Sequence, residues 1–127
     1  MQTSSHLFGN VPTDYLAFMH GQNIDYPKVV KFLDFEKKEV AQAANVPVAS
    51  VRYDEKMTKE LGERIAEWGT LVNIVAQYFQ GDINKTTLWF SIPNPLLGNI
   101  KPRDMIRFGR YRKLYKFIWN ATEENKK

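Results

Sequence analysis

Leu61, Ile65, Trp68, Val72, Val75 and Phe79 recur at intervals of four, three, four, three and four, a rhythm that only an α-helix gathers onto one side. Leu71, Ile74 and Tyr78 widen the stripe. A helix over 58–79 that is apolar across such a width has to be buried, either against several neighbours or against a second copy of itself. Thr58 offers an N-cap hydroxyl and Gly81 an end. Gly62 and Gly69 inside the helix each cost about 1 kcal/mol relative to alanine, and the close approach of another helix is the reason the sequence offers for keeping them. The remaining elements of the chain must therefore be shaped to cover this one.

They read as shorter helices. A helix after Pro12 uses Asp14 in its first turn and Tyr15, Leu16, Phe18 and Met19 as its apolar side, before Gly21 and Asn23 break it. Asp25 caps a helix whose Pro27 stands near its first position and whose Val29, Val30, Phe32 and Leu33 form its inner face. Glu36 to Ala44 continues as helix, and Asn45 suits a left-handed turn. Asp82 caps a helix ending near Ser91, Pro102 starts another, and Gly109 separates that from a last helix with Tyr111, Leu114, Tyr115, Phe117 and Ile118 inward, ending near Trp119 before a polar tail. No stretch alternates as a strand. The expected fold class is all-α: a helical bundle with an N-terminal extension (1–24), a helix-turn-helix region (25–57), and a long central helix with a C-terminal helical subdomain (58–127).

The 127 residues contain no cysteine, which removes disulfides, thiolate metal sites and cysteine nucleophiles together. His6 and His20 stand in the N-terminal part, neither at helical spacing from another ligand, so no metal site is expected. The seven glycines are scattered rather than gathered into a phosphate loop, and Ser50 and Ser91 lack a nucleophile elbow. No enzyme and no cofactor are expected. With no apolar run long enough to cross a bilayer and no secretory start, the expectation is a cytoplasmic protein without membrane attachment.

The net charge of +4 is unevenly spread. Residues 1–100 carry nine Lys/Arg against eleven Asp/Glu, whereas 101–127 carry nine against three. The basic end implies an acidic partner surface or nucleic acid, with a solvated helix face as the plain alternative. A helix-turn-helix is suggested by Ala41, Asn45, Val46 and Val51, with Pro47 at the start of the second helix, although many unrelated helical hairpins share that spacing. DNA would then be read by Ser50, Arg52 and Tyr53, with Lys38, Gln42 and Lys56 near phosphates. Residues 25–56 balance to zero charge, which weakens phosphate binding and leaves these side chains equally readable as a solvated scaffold surface.

Between the helices ending near Ser91 and starting at Pro102 lies Trp89-Phe90-Ser91-Ile92-Pro93-Asn94-Pro95-Leu96-Leu97-Gly98-Asn99-Ile100-Lys101. The sequence Pro93-Asn94-Pro95-Leu96-Leu97-Gly98, followed by Lys101-Pro102-Arg103-Asp104-Met105-Ile106, resembles the toxin-binding domain of the Xre/MbcA/ParS antitoxins, whose pattern is a Trp, an Asn-Pro, a Leu-Gly-Gly and a Thr-Pro-x-Asp helix start. Glu39-Val40-Ala41 through Val51-Arg52 resembles the helix-turn-helix of the same proteins, and the likeness spans roughly residues 27–120. Asn99 stands where the second glycine is usual, Lys101 where the threonine is, and Pro47 where a Ser/Thr starts the recognition helix. The resemblance implies an antitoxin of a type II toxin–antitoxin system. It would form a homodimer, neutralise a toxin that degrades NAD or ADP-ribosylates proteins, and repress its own operon through operator DNA.

On that reading the toxin meets Trp89, Asn94, Pro95, Leu97 and Gly98 at the elbow, then Arg103, Arg107, Arg110 and Tyr111, with Trp119 and Asn120 from the C-terminal end. Aromatic side chains and arginine are the usual anchors of such surfaces. The plainer alternative for Trp89 and Leu97 is core filling. Two other functions fit the same residues: a free-standing helix-turn-helix regulator acting without a toxin, and an adaptor that binds no DNA.

Overall fold

The structure, a computed structural model, describes residues 13–125, with side chains through Glu123. Among the described residues it is all-α, 62% helical with six helices and one very small antiparallel hairpin. In chain order these are β1 (Met19–His20), β2 (Asn23–Ile24), α1 (Tyr26–Phe32), α2 (Lys37–Ala44), α3 (Lys59–Tyr78), α4 (Ile83–Ser91), α5 (Pro102–Arg107) and α6 (Tyr111–Asn125). Short 3-10 turns lie at Val48–Ser50 and Pro95–Leu97.

The stripe helix α3 is the centre. Thr58 accepts the Leu61 amide at 3.2 Å as its cap, and the buried stretch runs from Leu61 to Ala76. Helices α1, α4 and α6 all pack on it, so the wide apolar face is covered from within the chain. Trp68 meets Phe35 edge-on at 5.8 Å, the geometry aromatic quadrupoles favour. A second run of edge-to-face rings, Phe18–Phe32–Phe90, ties the N-terminal hairpin through α1 to α4. Gly69 makes the α1 crossing possible: a β-carbon there would lie 3.2 Å from Val29 Cγ2, and Val29 is wholly buried.

The sequence expectations hold at the caps. Asp25 accepts the Lys28 amide at the start of α1, and Asp82 accepts the Lys85 amide at the start of α4. Glu36 and Glu39 form a reciprocal capping box on α2, and Asn45 ends it in the left-handed region at φ 58°.

Four expectations fail. The part of the helix foreseen after Pro12 that falls among the described residues is a turn followed by the hairpin. The Asp14 carboxylate there accepts the amides of Phe18 and Met19 and the side-chain amide of Asn73, while Asn73 Oδ1 accepts the Leu16 amide. A carboxylate serving loop amides holds the chain out of helix. Residues 1–12, including His6, lie outside the described residues. The hairpin itself, two residues on each side, corrects the reading of no strand. No second helix follows Asn45: Pro47 leads into a single 3-10 turn, Val51 is extended, and the chain bends and turns through 54–56 before Lys59, so the expected reading helix is missing. Finally, α6 does not stop near Trp119 but continues to Asn125, with Ile118 buried and Ala121 and Thr122 walling an apolar groove.

A closed elbow and two grooves beside the last helix

The segment 92–101 is closed by hydrogen bonds within itself. The Asn94 amide donates to the Ile100 carbonyl at 3.1 Å, and the Asn94 carbonyl accepts from both Leu97 and Asn99 at 2.9 Å. Its side-chain oxygen accepts the Leu96 amide at 2.9 Å, and Gly98 donates to Pro95 at 3.3 Å. Gly98 at φ 73° and Asn99 at φ 64° reverse the chain in two successive left-handed steps. Asn99 thus takes the conformation that a second glycine would hold, because its short side chain tolerates it.

The loop sits on a firm base. Phe90 and Pro102 are buried on either side of it, and Leu97 packs against the core. In a 3-10 turn neighbouring side chains diverge by about 120°, so Leu96 and Leu97 cannot both turn inward. Leu96 is 78% exposed. A leucine fully buried contributes roughly 1.5–3 kcal/mol, and most of that is forgone here by a side chain held on a rigid loop. Leu88 and Ile92, one helical turn apart, are each about half exposed nearby in sequence. Leu96 and Trp89 border a groove of about 230 Å³ that Tyr78, Phe79, Phe117 and Ala121 also wall. Sequence reasoning passed over Leu96, Tyr78 and Phe117. The Leu-Leu pair after a helix-starting proline was the signal for the first of them.

The foreseen contact residues divide. Trp89, half-buried, shares the groove with Leu96, and Pro95 and Gly98 are exposed on the loop, whereas Asn94 builds the loop and Leu97 props it. Arg103 belongs to the scaffold: its guanidinium donates to the Leu33 and Asp34 carbonyls at 3.1 and 3.4 Å, fastening α5 to the end of α1. Arg107 is occupied by Asp104 at 3.0 Å and Glu39 at 3.8 Å, and lies over the Phe108 ring. Arg110 and Tyr111 stand on a different groove, of about 780 Å³, between the end of α2, the first half of α3 and the start of α6. Tyr111 donates to the Glu67 carbonyl at 3.4 Å and stacks on Tyr115, which stacks on Trp119. Burial, reinforced by the Glu67 charge, pushes the Tyr111 hydroxyl well above its usual range. Trp119 is half-buried and Asn120 exposed, and neither walls the elbow groove.

The residues read as DNA contacts are differently engaged. Lys38 and Gln42 are exposed on α2, and Ser50 is in the 3-10 turn. Arg52 is held bidentately by Asp54 at 2.8 and 2.6 Å; the pair raises the guanidinium value and lowers that of the carboxyl. Tyr53 packs against the core, and the exposed Lys56 donates its amide to Asp54. Among the described residues no cluster of His, Asp and Glu is placed to hold a metal ion, and no helix is long and apolar enough to cross a membrane.

No family profile and no curated protein matches the sequence. Among solved structures the chain is similar to one from the crystal structure of the M. tuberculosis MbcT–MbcA toxin–antitoxin complex. The TM-score is 0.50 at 21% identity, over 78% of this chain and 91% of that one. At that identity the likeness is one of fold.

Proposed function

We propose that this protein is an antitoxin: a non-enzymatic binding protein that masks a partner toxin through the elbow and the apolar groove beside it. The observation that carries the reading is Leu96, 78% exposed at the tip of a loop closed by its own hydrogen bonds. Preorganised apolar side chains are what a partner can bury without having to order them first. The motif resemblance at Pro93–Gly98 and the fold likeness to a chain of a toxin–antitoxin complex both support the same reading. From the resemblance, the toxin would be an NAD-degrading or ADP-ribosylating enzyme.

Co-expression with the product of the adjacent gene tests this. The expected result is a complex that survives purification and a host whose growth stops when the partner is made alone and is restored when both proteins are made. Failure of the two to associate would remove the proposal. Self-association is the competing occupant of the elbow surface, since the α3 stripe is already covered within the chain; light scattering of the isolated protein separates the two.

Operon repression through residues 36–56 has less behind it. Arg52 is committed to Asp54, no recognition helix follows Asn45, and residues 25–56 carry no net charge to attract phosphates. A mobility-shift assay with the DNA upstream of its own gene is expected to show no specific shift by the isolated chain. A specific shift abolished by Arg52→Ala would restore the free-standing regulator.

A further inference from the structure

The groove between α2, α3 and α6 shares no lining residue with the elbow groove. Arg110, Arg112 and Lys113 form one of its walls. Among the described residues none of these three has a carboxylate partner, unlike Arg64, paired with Glu67 at 2.8 Å, or Arg103 and Arg107. Their position is unfavourable for the helix they begin. The first turn of α6 contains no acidic residue, and cations beside the positive end of a helix oppose its dipole. The groove also has an aromatic side: Tyr111 lines it, and Phe108, 45% exposed, stands at its edge.

We infer that this second groove binds an acidic polypeptide segment, its carboxylates on Arg110, Arg112 and Lys113 and an apolar side chain against Phe108 and Tyr111. The opposite wall carries Glu60 and Glu67, the latter paired with Arg64, which lines the groove too. A phosphate backbone carries charge at every step and would meet Glu60 as well as the cationic wall, whereas a peptide can direct its carboxylates to that wall alone. The inference extends the reading of this chain as a protein-binding protein by naming a second surface and its partner's chemistry, and the test below does not use the toxin.

The probes are a dye-labelled peptide of aspartate and glutamate flanking a tryptophan, and a dye-labelled oligothymidine, each titrated with the full chain and followed by fluorescence anisotropy. The peptide is expected to bind, more weakly as salt rises, and Arg112→Glu with Lys113→Glu is expected to lower its affinity about tenfold or more. Glutamate in a first helical turn favours the helix, and Lys113→Ala gives a milder second variant of the same wall. Absence of peptide binding, or binding unchanged in both variants, overturns the inference, and so does an oligothymidine that binds more tightly than the peptide. Peptide failure with toxin capture intact rejects this groove alone; peptide binding without toxin capture rejects the antitoxin reading alone.

Discussion

Asn94 and Ile100 form an isolated antiparallel bridge, amide to carbonyl at 3.1 Å, across the base of a loop whose tip is Leu96. The bridge holds Leu96 outward while the flanking Phe90 and Pro102 are anchored in the core. Its geometry depends on Asn99 in the left-handed region at φ 64°. Asn99→Ala is expected to lose about 1 kcal/mol, a fall of roughly 4 °C in Tm, and Asn99→Gly to change stability by only a few tenths. Thermal denaturation followed by circular dichroism checks both.

Gly69 is set by the approach of α1. Gly69→Val brings a branched side chain against Val29 and Phe18, where even a β-carbon would stand at 3.2 and 3.4 Å. Overpacking of this kind destabilises by about 1–3 kcal/mol, outweighing the helix propensity gained over glycine. Urea denaturation would register a lower midpoint at unchanged slope.

Asn73, 6% exposed, bonds through both atoms of its amide to the N-terminal segment. Asn73→Ala leaves the Leu16 amide and one Asp14 interaction without a partner, at a cost of about 1–3 kcal/mol. The detached segment should also become cleavable near Thr13–Met19, so limited proteolysis reports the change locally.

Tyr111 predicts a response to alkali. Its hydroxyl is raised above the usual 10.0 mainly by burial. An acid whose folded value is raised contributes stability that is complete below its unfolded value and is lost as pH rises through the folded one. The native protein should therefore lose stability above about pH 10, and Tyr111→Phe should lose less over the same interval. Equal alkaline slopes of Tm in the two proteins would contradict this placement of Tyr111.

Much of this architecture was legible because it rests on local chemistry. The stripe of α3, the Asp25, Thr58 and Asp82 caps, and the left-handed Asn45 and Asn99 follow from spacing and residue type. The failures share a cause: partners that residue type alone does not reveal decided the outcome. Asp14 was read as helix-favouring, but Asn73, far away in the chain, and the adjacent loop amides claimed it. Arg103 and Arg107 read as contacts for a toxin, but the end of α1 and the carboxylates of Glu39 and Asp104 engage them within the fold. Pro47 has the residue type of a helix start, yet the chain turns extended at Val51, whose side chain is buried. Leu96 escaped notice because hydrophobicity alone does not say which of two adjacent leucines faces out.

On the proposed function, Leu96 serves a partner and not the fold. Leu96→Asp and the unaltered protein would each be co-expressed with the adjacent gene's product, with melting temperature measured alongside capture. The expected result is a Tm unchanged within the equivalent of about 0.5 kcal/mol and loss of the complex. A Leu96→Asp protein that still captures the toxin undiminished would contradict the claim.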